Sequence, residues 1–185
     1  MPAPEPSIPF ANERSDDAAL VQRLSTGDLG ALDALFHRYA SALLNLARRV
    51  TGSSVDAEDV VQDLFVGLPM AVRRYAERGS FGAWLRTVTV RLALDRVRRR
   101  TRRHEVDLDL AGEQTAVSET PEVRWDIEGA IAALPDDLRM VFVLKEVEGF
   151  SHAEIGRLLG IRTGTSEVRL HRAMRALRRT LGGGA

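Results

Sequence analysis

The chain contains no cysteine, which excludes a disulfide framework, a zinc site built on thiolates and a cysteine nucleophile. It has a single lysine, Lys145, so its positive charge is almost wholly arginine. That fits planar recognition of phosphate or carboxylate, and fits a GC-rich coding sequence equally well. No apolar run approaches the length of a membrane span, and the opening "MPAPEPSIPFANERS" lacks the basic start and apolar core of a signal peptide. A cytoplasmic protein without membrane insertion is expected. The four histidines, His37, His104, His152 and His171, are scattered. No phosphate-cradling glycine loop and no Ser-His-Asp grouping can be drawn from the sequence, so neither an enzyme nor a cofactor is expected.

What is present is charge, placed unevenly. The 185 residues carry 26 basic and 26 acidic side chains, and the zero sum hides local blocks of each sign. The length suits one domain or two small ones. Helical periodicity recurs along the chain and no strand pattern does, which predicts an all-α fold. Residues 1–14 are rich in proline and read as a disordered tail. A short helix is expected around Asp16 to Leu24. From Asp28, a candidate N-cap, apolar residues recur at Leu32, Leu35, Phe36, Tyr39, Leu43, Leu46, Ala47 and Val50, ending at Gly52. A second long helix starts near Ser54 and runs through "DAEDVVQDLFVGL" until Pro69 kinks or ends it. A third follows the turn at Gly79 and Ser80, with Phe81, Trp84, Leu85, Val88 and Leu92 inward.

Between His104 and about Val123 the periodicity fades and acids gather with Thr, Ser, Gly and Pro, which reads as a flexible acidic linker. Helical patterns resume in "RWDIEGAIAALP" and "PDDLRMVFVLKEVEG", with Pro135 suited to a first helical position. "SHAE" has the signature of a capping box between Ser151 and Glu154. Gly160 ends that helix. After "GIRTG", the basic segment "TSEVRLHRAMRALRRTL" forms another, with Val168, Leu170, Met174 and Leu177 as candidate buried residues. Two helices joined by a glycine-containing turn, the second basic, make a helix-turn-helix pattern, which a plain helical hairpin shares.

The ordered combination of "DAEDVVQDLF", "SFGAWLRTVTVRLALDRVRRR" and "LPDDLRMVFVLKEVEGFSHAEIGRLLGIRTGTSEVRLHRA" resembles the extracytoplasmic-function (ECF) class of bacterial RNA polymerase sigma factors, over about Asp28 to Leu181. The resemblance implies two small helical domains: region 2 at 15–103, a linker at 104–122, and region 4 at 123–181, with a tail at 182–185. It implies that region 2 binds the polymerase core and opens the promoter near minus ten, that region 4 reads the minus thirty-five element, and that an anti-sigma factor sequesters the protein in competition with polymerase. A monomer is expected, and "LGGGA" leads us to expect no sensory domain at the end. A stand-alone helix-turn-helix regulator is the alternative, and leaves the first domain without a task.

Asp56, Asp59, Gln62 and Asp63 are spaced to share one helical side, with Val60 beside them for the core or a partner. Acids near a helix N-terminus also suit its dipole on a merely solvated face. The resemblance makes this face the polymerase contact. The arginines between Trp84 and Arg103, Arg91 and Arg98 among them, are opposed only by Asp95 and create a positive field able to neutralise phosphates. Tyr75, Arg78, Ser80 and Phe81 match the family's base-capturing loop and Trp84 matches a neighbouring position, while the apolar period favours burial of Phe81 and Trp84.

Two departures from the family pattern bear on base preference. "VTVR" stands where "IAxN" is usual, so Arg91 replaces an asparagine suited to adenine by a side chain suited to guanine or phosphate. "GTSEVRLHRA" stands where "GTVKSRLxRA" is usual, so Thr165, Arg169 and Arg172 match while Glu167 and Val168 do not. Glu167, Val168, His171 and Arg172 are expected near base edges, with Arg169 and Arg172 also in reach of phosphates. A carboxylate at 167 can accept from the cytosine amino group, which predicts an unusual minus thirty-five sequence.

Overall fold

The computed structural model describes residues 14–75, 80–111 and 127–182, and among them every regular element is helical. Contacts divide the chain into two compact units, Met1–Ala47 with Ala57–Leu92, and Arg48–Asp56 with Ala93–Ala185. The expected tail and most of the expected linker lie outside the described residues.

In the first unit, α1 (Arg14–Ser25) packs on a 3₁₀ turn at Val72–Arg74. Asp17, 5% exposed, accepts from Arg38 Nη1 at 2.7 Å and from the Tyr39 hydroxyl, so its buried charge is paired. The long helix α2 (Leu29–Thr51) begins at Asp28 as its sequence predicts. Asp28 Oδ1 accepts from Gly30 N–H at 2.9 Å, the N-cap bond, and Oδ2 accepts from Arg23 Nε at 2.8 Å. The Arg23 bond is the main cause that holds the Asp28 carboxyl below its usual range. Of the predicted stripe on α2, Leu35, Tyr39, Leu43, Leu46, Ala47 and Val50 are buried, but Phe36 is 44% exposed. α3 (Ser54–Ala71) runs past Pro69 and ends at Ala71, where the backbone tightens into the 3₁₀ turn.

Helix α4 (Phe81–Ala111) starts where Ser80 Oγ accepts from Ala83 N–H at 3.2 Å. Its inner stripe is rotated from the predicted one: Phe81, Leu85, Thr89, Val90, Ala93, Leu94 and Val97 are buried, while Trp84, Val88 and Leu92 are half-covered. The buried Thr89 hydroxyl is satisfied by the Leu85 carbonyl at 2.9 Å. α4 also continues to Ala111, into the stretch expected to be linker. Extending a formed helix gains a hydrogen bond for each residue fixed, and Leu108, Leu110 and Ala111 are good helix formers.

The second unit contains α5 (Ile127–Ala132), α6 (Asp136–Phe142), α7 (His152–Leu159) and α8 (Thr163–Gly182). Pro135 is the N-cap of α6, with φ −49° and ψ 141°, and not its first helical residue. α6 widens into a π-helical turn at Val143–Val147. α8 packs on α5, α6 and α7 over a core that includes Val141, Val143, Leu144, Ile155 and Ala173.

Candidate polymerase and promoter interfaces

The helix-turn-helix is α7 and α8. Ser151 and Glu154 form the predicted capping box, and Gly160, at φ +70°, ends α7 in the left-handed region where glycine is unstrained. The Ser151 hydroxyl, then the Ser151 N–H, donate to the Glu154 carboxylate and hold it below its usual range. Two contacts fix α7 against α8 and the turn before it. His152 Nδ1 lies 2.9 Å from the hydroxyl of Ser166, which is fully buried, and a Cβ on Gly156 would stand 2.8 Å from the Ile161 carbonyl. Glycine at 156 therefore lets the turn backbone approach the helix.

With Ser166, Ala173 and Leu177 buried, the opposite side of α8 presents Thr165, Glu167, Val168, His171 and Arg172, all exposed. Val168 is 52% exposed, which corrects its expected burial and leaves it on the exposed side of α8; Leu170 and Met174 are only half-covered. Small Ser166 and Ala173 let α8 sit close to its neighbours, and that closeness turns the helix away from the predicted phase. Arg169 is drawn aside, 3.4 Å from Asp137.

At the start of α4 four aromatic rings gather. Phe81 stacks on Trp84 with centroids 5.4 Å apart, Tyr75 lies 5.2 Å from Trp84 and 5.4 Å from Phe81, and Tyr39 meets Phe81 at 6.1 Å. Phe81 is 3% exposed, whereas Tyr75 and Trp84 keep part of their surface open. Ser80 is engaged as the cap of α4, and Arg78 lies outside the described residues. Further along α4, Arg91, Arg98, Arg99 and Arg102 are exposed. Arg98 lies 3.7 Å from Asp95 and reaches the Leu159 carbonyl at 3.5 Å. The expectation that Asp95 alone opposes these arginines is corrected by Arg100, which donates to Asp56 at 2.8 Å and lies 3.1 Å from Asp136.

On α3, Gln62 and Asp63 are exposed and Asp59 is half-covered. Asp56 is bound by Arg100. Val60, 1% exposed, faces the core and is closed to a partner, because its position falls on the inward stripe of α3 with Ala57, Leu64 and Leu68. Beside Gln62 the sequence reading missed a groove of about 700 Å³ between α2 and α3, lined by Leu29, Leu32, Phe36, Phe65 and Val66. Phe36 and Phe65 meet edge to face at 4.9 Å on its floor. Its signal was the width of the apolar stripe on α2, too broad for one neighbour to cover. Among the described residues no helix is long and apolar enough to cross a membrane.

Comparison with known proteins accounts for this arrangement. Residues 35–103 match the family description "Sigma-70 region 2" and residues 124–177 match "Sigma-70, region 4". The chain is 36% identical over 165 residues to the ECF RNA polymerase sigma factor SigE of Mycolicibacterium smegmatis, covering 83% of this chain but 64% of that protein. It is 32% identical to SigM of Mycobacterium tuberculosis, over 96% of this chain and 91% of the relative. Among solved structures, CnrH in complex with the cytosolic domain of CnrY is similar at a TM-score of 0.57 and 26% identity, over 91% of this chain and 99% of that one. The sigma factor RpoE of Bartonella quintana, solved with the anti-sigma factor NepR, shares the fold at a TM-score of 0.59 and 22% identity, over 83% and 98% of the two chains. With both regions matched in order, the chain belongs to the ECF class of the sigma-70 family, the RNA polymerase sigma factors that direct transcription initiation.

Proposed function

We propose that this sigma factor meets core polymerase through α3, with Asp56, Asp59, Gln62 and Asp63 beside the apolar groove, and reads its promoter with two differently built faces. Tyr75, Phe81, Trp84, Arg91 and Arg98 serve the minus ten element, where unpaired bases expose faces for stacking. Thr165, Glu167, Val168, His171 and Arg172 enter the major groove at minus thirty-five, and Arg169 holds phosphate. The observation that supports this reading best is the bare side of α8 opposite Ser166, Ala173 and Leu177. Catalysis belongs to the polymerase, and the site of action is the cytoplasm, where polymerase and chromosome are. An anti-sigma factor that covers the α3 groove would exclude polymerase from the same face.

Transcription in vitro tests the assignment: core polymerase with and without this protein, on fragmented genomic DNA, with transcript 5′ ends sequenced. New start sites that share two spaced upstream motifs are expected. Absence of core binding, with duplex binding retained, would favour a stand-alone regulator.

A further inference from the structure

Val168 is an apolar side chain in the middle of a charged face. With Ser166 inward and about 100° of rotation for each helical residue, Val168 stands about 200° around α8 and points almost straight outward. Thr165 and Glu167 lie on its flanks, and His171 and Arg172 follow one turn later, all exposed. That rotation is fixed at the near end of the helix, because Ser166 is fully buried and its hydroxyl lies 2.9 Å from His152 Nδ1. Val168 is 52% exposed; Leu181, the other large apolar residue exposed on α8, is at the far end. A β-branched side chain in a helix keeps one χ1 rotamer, so the two methyl groups of Val168 are placed in advance of any contact. Helical side chains lean over the turn before their own Cα. For Val168 that turn is at Gly164, which carries no side chain and where an added Cβ would meet nothing within 4 Å. The space over which Val168 leans is therefore open.

The charge around it suits a nucleic-acid duplex. Arg172, Arg175, Arg178 and Arg179 are exposed along the same helix, and phosphates line both edges of the groove that a recognition helix enters. On the floor of the major groove the base edges present donors, acceptors and a single methyl group, the C5-methyl of thymine. An apolar side chain carried into that groove has this one complement. We propose that Val168 is a specificity-determining residue, packing on the methyl group of a thymine in the minus thirty-five element, in the gap left by Gly164. The inference rests on the reading of α8 given above. A phosphate offers Val168 nothing, and cytosine, with only hydrogen at C5, leaves it half uncovered. Glu167 beside it is suited to a cytosine amino group, so the two neighbours select different bases.

The test uses the full chain with core polymerase on promoter duplexes taken from the mapped start sites. Each thymine of the minus thirty-five element, on either strand, is replaced in turn by uracil, which keeps every hydrogen-bonding group and lacks only the methyl. At one position uracil should weaken binding about three- to fivefold, the worth of one methyl group taken out of water. Val168→Ala should abolish that difference and Val168→Ile should keep it, while neither moves the denaturation midpoint of the exposed site. A merely structural role would lower binding to both duplexes alike and leave their ratio intact. Equal affinity for thymine and uracil at every position overturns the proposal, as does a ratio that survives Val168→Ala, or a minus thirty-five element without thymine on either strand. A scrambled element separates the two levels of failure. If it binds as well as the native one, the reading of α8 fails and the proposal with it; if it binds poorly while thymine and uracil are equal, only the role of Val168 is lost.

Discussion

The two candidate promoter-reading faces are built in opposite ways. At the start of α4 the aromatic side chains lean on one another, with Phe81 beneath Tyr75 and Trp84, so the surface open to DNA is what the cluster leaves uncovered. On α8 the candidate reading side chains are exposed, and the helix is positioned from behind by Ser166, Ala173 and Leu177. The difference suits the two tasks. A duplex groove admits a bare helix whose side chains adapt to base edges, whereas an unpaired base is held by a rigid platform. Substitutions in the first face should therefore disturb stability and recognition together. In the second, recognition should change alone.

Phe81→Ala is the strongest way to break this contrast. The ring is buried against Tyr39, Tyr75 and Trp84, and its removal should cost about 3–5 kcal/mol, the usual range for a buried aromatic. Chemical denaturation of the full chain reads that loss. A cost below about 1 kcal/mol would mean that the ring is not a structural floor, and the two faces would be alike.

A smaller effect of another kind is expected on α8. Arg172→Ala should weaken binding to minus thirty-five duplex by about 1–3 kcal/mol and leave the denaturation midpoint unchanged. Glu167→Lys should alter the motif enriched from a random duplex pool. A shifted midpoint for Arg172→Ala would show that this face too is part of the packing, and an unchanged motif would remove Glu167 from the readers.

The same physical contrast decided what was legible in the sequence. Capped helix ends were, because caps are local: Asp28, Ser80, the Ser151–Glu154 box and Gly160 act within a few residues of themselves, whereas the far end of α4 and the place of Pro135 were not. The order of the helices and the exposed α8 positions Thr165, Glu167, His171 and Arg172 followed from period and family pattern. Rotation of a helix about its axis was not legible. The inward stripe of α4 and the exposure of Phe36 and Val168 depend on which neighbours a helix meets, and periodicity defines a stripe only to within about one residue. Burial of Val60 was left open for the same reason. Least legible were Arg100 and Arg139, which besides carboxylates reach the backbone carbonyls of Val50 and Thr51, distant in sequence and without a residue-type signal.

The smallest predicted effect asks how firmly α8 is held from behind. Ser151→Ala removes the hydroxyl that caps α7 and should cost about 1 kcal/mol. The same hydroxyl is the main cause of the depressed Glu154 pKa, so that pKa should rise toward its ordinary 4.5 in the variant, as followed by carboxyl NMR titration. A carboxylate depressed in the folded state contributes stability above its unfolded pKa and loses it as pH falls through the folded value. The parent should therefore lose stability on the acid side of pH 4.5 more steeply than the variant, and their denaturation midpoints should converge there. α7 meets α8 through His152, close to the capped end. If loosening that end also lowers affinity for minus thirty-five duplex, the bare face owes its readiness to α7; if affinity is unchanged, Ser166, Ala173 and Leu177 suffice to hold the helix in place.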